Sequence, residues 1–382
     1  MTGAAAPIGG DAPTAARLAT LAVRDFRNLV AVNASVPDAG VVVVGENGHG
    51  KSNLLEAIAY LRLLRSVRGA RDRDLIRHGA PAFHIAATCA GSPVRRVSVG
   101  VDRQGRKRVM LDGADAARLT DALDALPSVT FSPRDVDLVA GGPGERRRFL
   151  DITLALSAPA YLEALRQYRA ALARRNAALR AAVRRGAAAA GVAAWEPALA
   201  RHGGSLVRAR RAWVAASAEP FAAHCAAIGE RGRPTLRYAG AAAEADDPEA
   251  AIAEQLERQR ETDVRRGLTQ AGPHRDDLGM ALDGHDLRTV GSAGQHRTAA
   301  IVLRLLEAAT HRDATGVTPV LLLDDPFAEL DRQRTTRILA LLAALGPGQH
   351  LVCVPRADEV PAQYTRLARW TIADGTLTTG AA

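Results

Sequence analysis

Apolar positions along the chain change their period twice, and the three stretches so defined predict different architectures. As far as residue 111, apolar and polar positions tend to alternate. Leu18 to Val23, ending in Phe26-Arg27-Asn28, reads as a strand, and Val30 to Val36 as its partner. Pro37-Asp38-Ala39-Gly40 then turns the chain into four consecutive valines, Val41 to Val44. An apolar run with no polar break suits a strand buried on both faces. Leu54, Leu55, Ile58 and Leu61 follow at helical spacing, and FHIAATCA, RRVSVGVD and RKRVML, between Phe83 and Leu111, predict a meander of antiparallel strands. From about Pro159 to Arg260 the composition turns to Ala, Arg and Leu with few β-branched residues, which predicts helices. Leu162, Leu165, Tyr168 and Leu172 lie along one side of a long one. Strand character returns near Gly267, with a strand from Leu278, a helix over Thr298 to Ala309, and buried strands at Pro319–Leu323 and His350–Val354. Trp370 to Leu377 reads as a closing hairpin.

Buried strands alternating with helices, beside a meander, predict an α/β chain: a mixed sheet with flanking helices, interrupted by a smaller α-helical lobe. Residues 1–16 are small, Pro/Gly-dotted and aperiodic, and are expected to form a disordered extension. They lack the basic start and apolar core of a secretory signal. Residues 17–145 and 263–382 are expected to form the two parts of the α/β lobe, and 146–262 the helical lobe. Gly186 to Gly191 is an alanine-rich break, and Ala241 to Pro248 an acidic loop.

The valine strand carries the first candidate chemistry. Gly45, Glu46, Asn47, Gly48, His49, Gly50, Lys51 and Ser52 spell G-x-x-x-x-G-K-[ST] between a strand and a helix, the context a phosphate-binding loop requires. The glycines let successive backbone N–H groups point at phosphate oxygens, and the helix N-terminus adds its partial positive charge. Lys51 would reach the β- and γ-phosphates, and the Ser52 hydroxyl would ligate Mg²⁺. Of fifty basic residues only Lys51 and Lys107 are lysines, so arginine was displaced where a compact ammonium on a flexible stem is wanted.

Charge and cysteine usage narrow the class. The formal net charge of +9 points to a polyanionic partner, most simply nucleic acid, against the plainer reading of arginine-rich solvated faces. Ten arginines against two acids between Arg146 and Arg185 leave the same two readings open. Cys89, Cys225 and Cys353 form no C-x-x-C pair, so neither a disulfide framework nor a zinc site is indicated, and reduced thiols of a cytoplasmic chain are expected. No apolar run reaches membrane-spanning length.

Two further motifs complete a site. Gly291-Ser292-Ala293-Gly294-Gln295 precedes a strong helix that Ser292 is placed to cap. Leu321-Leu322-Leu323-Asp324-Asp325 ends a buried strand in two carboxylates, the first able to hold Mg²⁺ and the second to orient or deprotonate an attacking water. Ala328-Glu329-Leu330-Asp331 follows at once.

Together the phosphate loop, S-x-G-Q, LLLDD and the E-L-D loop resemble ABC-type P-loop ATPase heads. The 240 residues between Ser52 and Ser292 resemble the SMC and Rad50 group with its inserted helical segment. Phe26-Arg27-Asn28, Arg65-Ser66-Val67-Arg68, Phe131 to Asp135, Pro143 to Asp151, Arg175-Asn176 and Gly272 to Asp277 are similar to the RecF family, over residues 18 to 355. This resemblance implies an ATP- and Mg²⁺-binding protein that dimerises on ATP, binds double-stranded and gapped DNA, and acts with RecO and RecR to load RecA in repair and replication-fork maintenance. It implies slow, DNA-stimulated ATP hydrolysis serving a DNA-binding switch. Carried over by position, Gly45 to Ser52 bind phosphate and Lys51, Asp324 and Asp325 are catalytic, with Ser52 and Asp324 at the metal. Ser292, Gly294 and Gln295 reach the γ-phosphate held by a second copy, with Asp331 at that interface. The chain departs from the pattern at Val354-Pro355-Arg356, where ABC heads carry a switch histidine, in the tandem aspartates, and in having no glutamine placed for a Mg²⁺-contacting loop.

Two rival readings have their own discriminators. A structural SMC-like head that tethers DNA would need long coiled-coil arms, and about 100 residues of helical insert are too few. A nucleotide-metabolising P-loop enzyme would need neither S-x-G-Q nor the +9 charge.

Overall fold

The computed structural model describes residues 14–185, 191–327 and 330–380. They fall into two compact units, one of Met1–Phe131, His311–Pro326 and Leu345–Ala382, the other of Ser132–Thr310 and Phe327–Ala344.

The first unit contains two six-stranded sheets. One runs in the order Thr376–Thr379, Ala368–Ala373, Gly40–Val44, His350–Val354, Val320–Asp324 and Ser128–Phe131. Its neighbours are parallel except for the edge hairpin formed by the first two strands. Parallel strands covered on both faces need apolar residues throughout, and Val41, Val42, Val43, Leu322, Leu323, Leu351 and Val352 are all buried. The other sheet is the expected meander, Leu29–Ser35, Arg17–Phe26, Ala82–Ala90, Arg96–Asp102, Lys107–Leu111 and Ala114–Asp115, antiparallel throughout. The helix Lys51–Leu63 is buried on every side: Leu54, Leu55, Ile58 and Leu61 share one core with Val41, Val43 and Val320 of the first sheet and Phe83, Ile85 and Val99 of the meander.

The second unit is mainly helical, with Pro143–Ser157, Pro159–Arg185, Glu196–Ile228, Pro248–Arg266 and Arg332–Ala344. It also holds the helix Ala293–Thr315 as far as Thr310. Tyr161, Leu165, Tyr168, Leu179 and Ala182 form the buried stripe of the long helix Pro159–Arg185.

Three expectations need correction. Thr14–Ala15 is a strand paired with Val317–Thr318, and Ala16 is buried with its N–H donating to the Thr318 carbonyl at 2.9 Å. A small apolar residue with a backbone partner joins the core, so 14–16 are not part of an extension, while residues 1–13 lie outside the described residues. The stretch expected to consist of helices and two connecting breaks contains the strand Pro234–Ala239, paired antiparallel with Asp277–Leu282. Its Thr-Leu-Arg-Tyr alternation between Pro234 and Gly240 outweighs the surrounding composition. The second unit is also wider than 146–262, because Ser132 to Gly142 and the residues around the small sheet pack with the helices. The alanine-rich break at 186–190, and Ala328 and Glu329 of the E-L-D loop, lie outside the described residues.

Candidate nucleotide-binding site

The strand Gly40–Val44 delivers the chain into the loop at Gly45, and the helix Lys51–Leu63 leaves it after Gly50. Gly48 (φ 88°) and Gly50 (φ 113°) take the left-handed backbone that curls the loop over the helix N-terminus. The Lys51 ammonium donates to the carbonyl of Gly45, to that of Glu46 at 3.0 Å and to Asn47 Oδ1 at 3.4 Å. The Ser52 hydroxyl donates to Asp324 Oδ1 at 2.8 Å, so residues far apart in sequence meet at the tip of the parallel sheet. Asp325 follows in the left-handed region (φ 45°), its N–H donating to the Cys353 carbonyl at 3.0 Å. Burial, with Asp324 and Asp325 nearby, pushes the Cys353 thiol well above its ordinary range, leaving it protonated beneath the loop.

A hydroxyl and a carboxylate oxygen 2.8 Å apart beside a phosphate loop are a fitting donor pair for Mg²⁺, a hard ion that takes oxygen ligands and completes its shell with water and phosphate. Among the described residues no group of three or more His, Cys, Asp or Glu side chains could hold a metal ion.

A layer of support around the loop was not legible as chemistry. Asn28 Nδ2 donates to the Gly48 carbonyl at 3.2 Å, Asn53 Nδ2 to Asn28 Oδ1 at 2.8 Å, and Arg68 Nη1 to Asn53 Oδ1 at 3.0 Å. One turn along the helix, Glu56 is 2% exposed and accepts two bonds from Arg27, at 3.1 and 3.2 Å, and one from Ser66 at 2.5 Å. The strings Phe26-Arg27-Asn28 and Arg65 to Arg68 therefore converge on the helix that carries Lys51 and Ser52. Glu56, set between apolar residues of a buried helix, is the signal in the sequence that could have pointed to a partner, and it was missed. The second lysine has a comparable job: Lys107 donates to the Leu64 carbonyl at 2.6 Å, pairs with Asp72 at 2.7 Å and lies over the Tyr60 ring.

Ser292, Gly294 and Gln295 belong to the second unit. Ser292 Oγ accepts from the Gln295 N–H at 3.2 Å while Gln295 Oε1 accepts from the Ser292 N–H at 2.9 Å, a reciprocal capping box on Ala293–Thr315. The helix thus starts earlier than Thr298. Asp331 Oδ1 accepts from the Arg334 N–H at 2.8 Å at the start of Arg332–Ala344. The Arg334 guanidinium reaches Glu230 at 3.0 Å and Thr298 at 3.3 Å, and a Cβ on Gly294 would press on it. One arginine therefore braces both the signature and Asp331.

Where a switch residue was sought, Val354 is buried and Arg356 is exposed, pairing with Glu359 at 2.8 Å. Gln349 is buried and spends its amide on both backbone groups of Leu18 and on the Pro37 carbonyl. It joins the two sheets and has no place at the loop. Several arginines of the basic stretch have partners within the chain, although Arg166, Arg169, Arg174 and Arg180 are exposed. Arg146 forms two bonds to Asp277, Arg147 donates to the Asp276 carbonyl, Arg166 and Arg169 pair with Glu163 and Asp151, Arg174 lies over Trp195, and Arg175 is fully buried. Among the described residues no helix is long and apolar enough to cross a membrane.

A family model described as the RecF/RecN/SMC N terminal domain matches residues 17–376. A DNA replication and repair protein RecF from Anaeromyxobacter sp. (strain Fw109-5) is 40% identical over 354 residues, spanning 91% of this chain and 94% of its own length. Its counterpart from Moorella thermoacetica is 34% identical over 336 residues, spanning 87% and 89%. The solved structure of the recombination mediator protein RecF-ATP in the RecFOR pathway superposes with a TM-score of 0.88 at 26% identity, covering 98% of this chain and 100% of that one. An Smc head domain from Pyrococcus furiosus gives 0.57 at 18% identity, covering 96% of each, a likeness of fold alone.

Proposed function

The chain belongs to the RecF family, within the RecF/RecN/SMC N-terminal domain group, and from that premise we propose that it is an ATP-dependent DNA-binding recombination mediator. The observation that carries this reading is the Ser52–Asp324 contact beside Lys51, which unites the phosphate loop and the carboxylate strand in one pocket. ATP is the nucleotide, its phosphates facing the N–H groups of Gly48 to Ser52, with Lys51 turning from the loop carbonyls to the β- and γ-oxygens. Ser52 and Asp324 would hold Mg²⁺, which would supply neutralisation of phosphate charge. Asp325 accepts the proton of the attacking water, and its short side chain fits slow turnover. Ser292, Gly294 and Gln295 of a second copy meet the γ-phosphate, so two chains share each nucleotide. Losing the shared group on hydrolysis releases the dimer.

Double-stranded or gapped DNA is the proposed cargo of the closed dimer, RecR with RecO the proposed partners, and loading of RecA the outcome. The superposed RecF structure, a recombination mediator of the RecFOR pathway, and the +9 charge support this assignment. Gel filtration with and without ATP, in the presence of duplex DNA, tests it. The chain is expected to elute as a DNA-bound dimer only with ATP. Elution that ignores ATP, or DNA binding that ignores salt, would overturn the reading.

A further inference from the structure

We infer that the tip of the closing hairpin, Asp374-Gly375, is a positioning element for the phosphate loop, and that the His49 side chain is its latch. The inference rests on the nucleotide reading above and gives a role to a side chain at a position the loop motif leaves unspecified, and to a segment outside the motif.

A loop that turns its N–H groups inward turns its carbonyls outward, and each buried or half-buried carbonyl needs a donor. Lys51 serves Gly45 and Glu46, and Asn28 serves Gly48. The carbonyl of His49 accepts from the Gly375 N–H at 3.0 Å, a residue 326 positions later in the chain. The same histidine makes a second bond to the tip, its Nδ1 accepting from the Asp374 N–H at 3.0 Å. The contact uses Nδ1, so the other ring nitrogen able to make a polar contact is Nε2. That nitrogen faces Glu46, with 3.8 Å to the nearer carboxylate oxygen.

The tip arrives there because of strand register. Ala368–Ala373 runs parallel to the phosphate-loop strand, with Thr371 opposite Val44, so the turn that follows overhangs the loop. Asp374 (φ 46°) and Gly375 (φ 75°) both take the left-handed backbone of a tight two-residue hairpin turn, which aims their successive N–H groups at one residue. Glycine is required at 375 for a second reason: a Cβ there would run into the Asn28 carbonyl. Asn28 is the residue that holds Gly48, so the tip and Asn28 clamp adjacent peptides of the loop.

His49→Asn and His49→Leu test the latch, because Asn Oδ1 falls where His Nδ1 lies and can accept the same N–H, whereas Leu cannot. Affinity for a fluorescent ATP analogue with Mg²⁺ would be measured on the full chain, with the melting temperature of each variant alongside. His49→Leu is expected to bind about fivefold more weakly, the loss typical of one hydrogen bond, and His49→Asn within about twofold of the parent. Both should melt close to the parent. Equal binding by the parent and His49→Leu would overturn the inference alone. So would equal weakening of both variants, since rescue by the retained acceptor is what a latch requires. A parent chain that binds no ATP analogue would overturn the nucleotide reading, and the latch with it.

Discussion

His274 and His350 sit one in each unit, and burial pushes both down to about 4. His274 is fixed between the Tyr168 hydroxyl at 2.6 Å and the Thr269 carbonyl at 3.1 Å, with Arg275, Arg147 and Arg175 disfavouring a further positive charge. His350 pairs with the Tyr364 hydroxyl at 2.9 Å. Each folded value lies below the ordinary value of 6.5, so the folded chain prefers the neutral ring. Their contribution to stability is therefore complete above pH 6.5 and is lost as pH falls toward 4, by about 3 kcal/mol per histidine at most. Thermal unfolding between pH 7 and 4.5 should show the melting temperature falling through that window. His274→Gln and His350→Phe should each flatten the slope, and an unchanged slope in both would show that carboxylates dominate acid unfolding.

The long helix Pro159–Arg185 shows what a helical pattern conceals. Arg175 lies on its buried stripe and is 0% exposed, joined to Asp263 at 2.7 Å, Thr269 at 2.9 Å and Glu196 at 3.0 Å. Asn176 beside it accepts from the N–H and the hydroxyl of Thr269. A second network links Arg210 to Asp151, Tyr161, Tyr238 and the Pro273 carbonyl, and Tyr238 donates to Asp276. Removing one member of a buried ionic group strands the others, typically at 3–5 kcal/mol. Arg175→Met should cost about that much in chemical denaturation followed by the fluorescence of Trp195 and Trp213. Adding Asp263→Leu should recover part of the loss, because the double variant no longer buries an unpaired carboxylate there. A double variant weaker than Arg175→Met alone would show that Asp263 earns its place through the Gln270 N–H instead.

These networks also mark where sequence reading stops. Strands were legible because alternation reports one buried face directly, as in the meander, and because Val41 to Val44 and Leu321 to Leu323 are unbroken. The phosphate loop, the two aspartates and the cap at Ser292 were legible because each is contiguous, whereas the return bond from Gln295 was not read. Arg175-Asn176, Gly272 to Asp277 and Pro143 to Asp151 stood out only as strings. Their function, a shared buried polar core, exists only after helices distant in sequence have packed. The arginines between Arg146 and Arg185 left a solvated face and a phosphate-binding face equally open, because charge counts do not reveal that Asp277, Asp151, Glu196 and Asp263 already pair with Arg146, Arg169 and Arg175.

The proposed nucleotide-site residues are divided between the units: Lys51, Ser52, Asp324 and Asp325 belong to one, and Ser292, Gly294, Gln295 and Asp331 to the other. If each composite pocket draws its halves from two chains, defects in different halves should complement when mixed. Lys51→Ala removes the ammonium from the loop, and its homodimer would hold two pockets without it. Ser292→Arg breaks the capping box and places a bulky cation at the signature, so its homodimer would hold two pockets with a blocked second half. Neither variant alone should form an ATP-dependent dimer in gel filtration. In an equal mixture, half of random pairings are heterodimers, and each heterodimer assembles one pocket from the intact loop of the Ser292→Arg chain and the intact signature of the Lys51→Ala chain. A dimer peak with ATP is therefore expected in the mixture and in neither parent sample. Pockets completed within a single chain would give no such peak, since every chain in the mixture carries one damaged half. The mixture thus separates nucleotide binding as a property of the chain from nucleotide binding as the act that joins two chains.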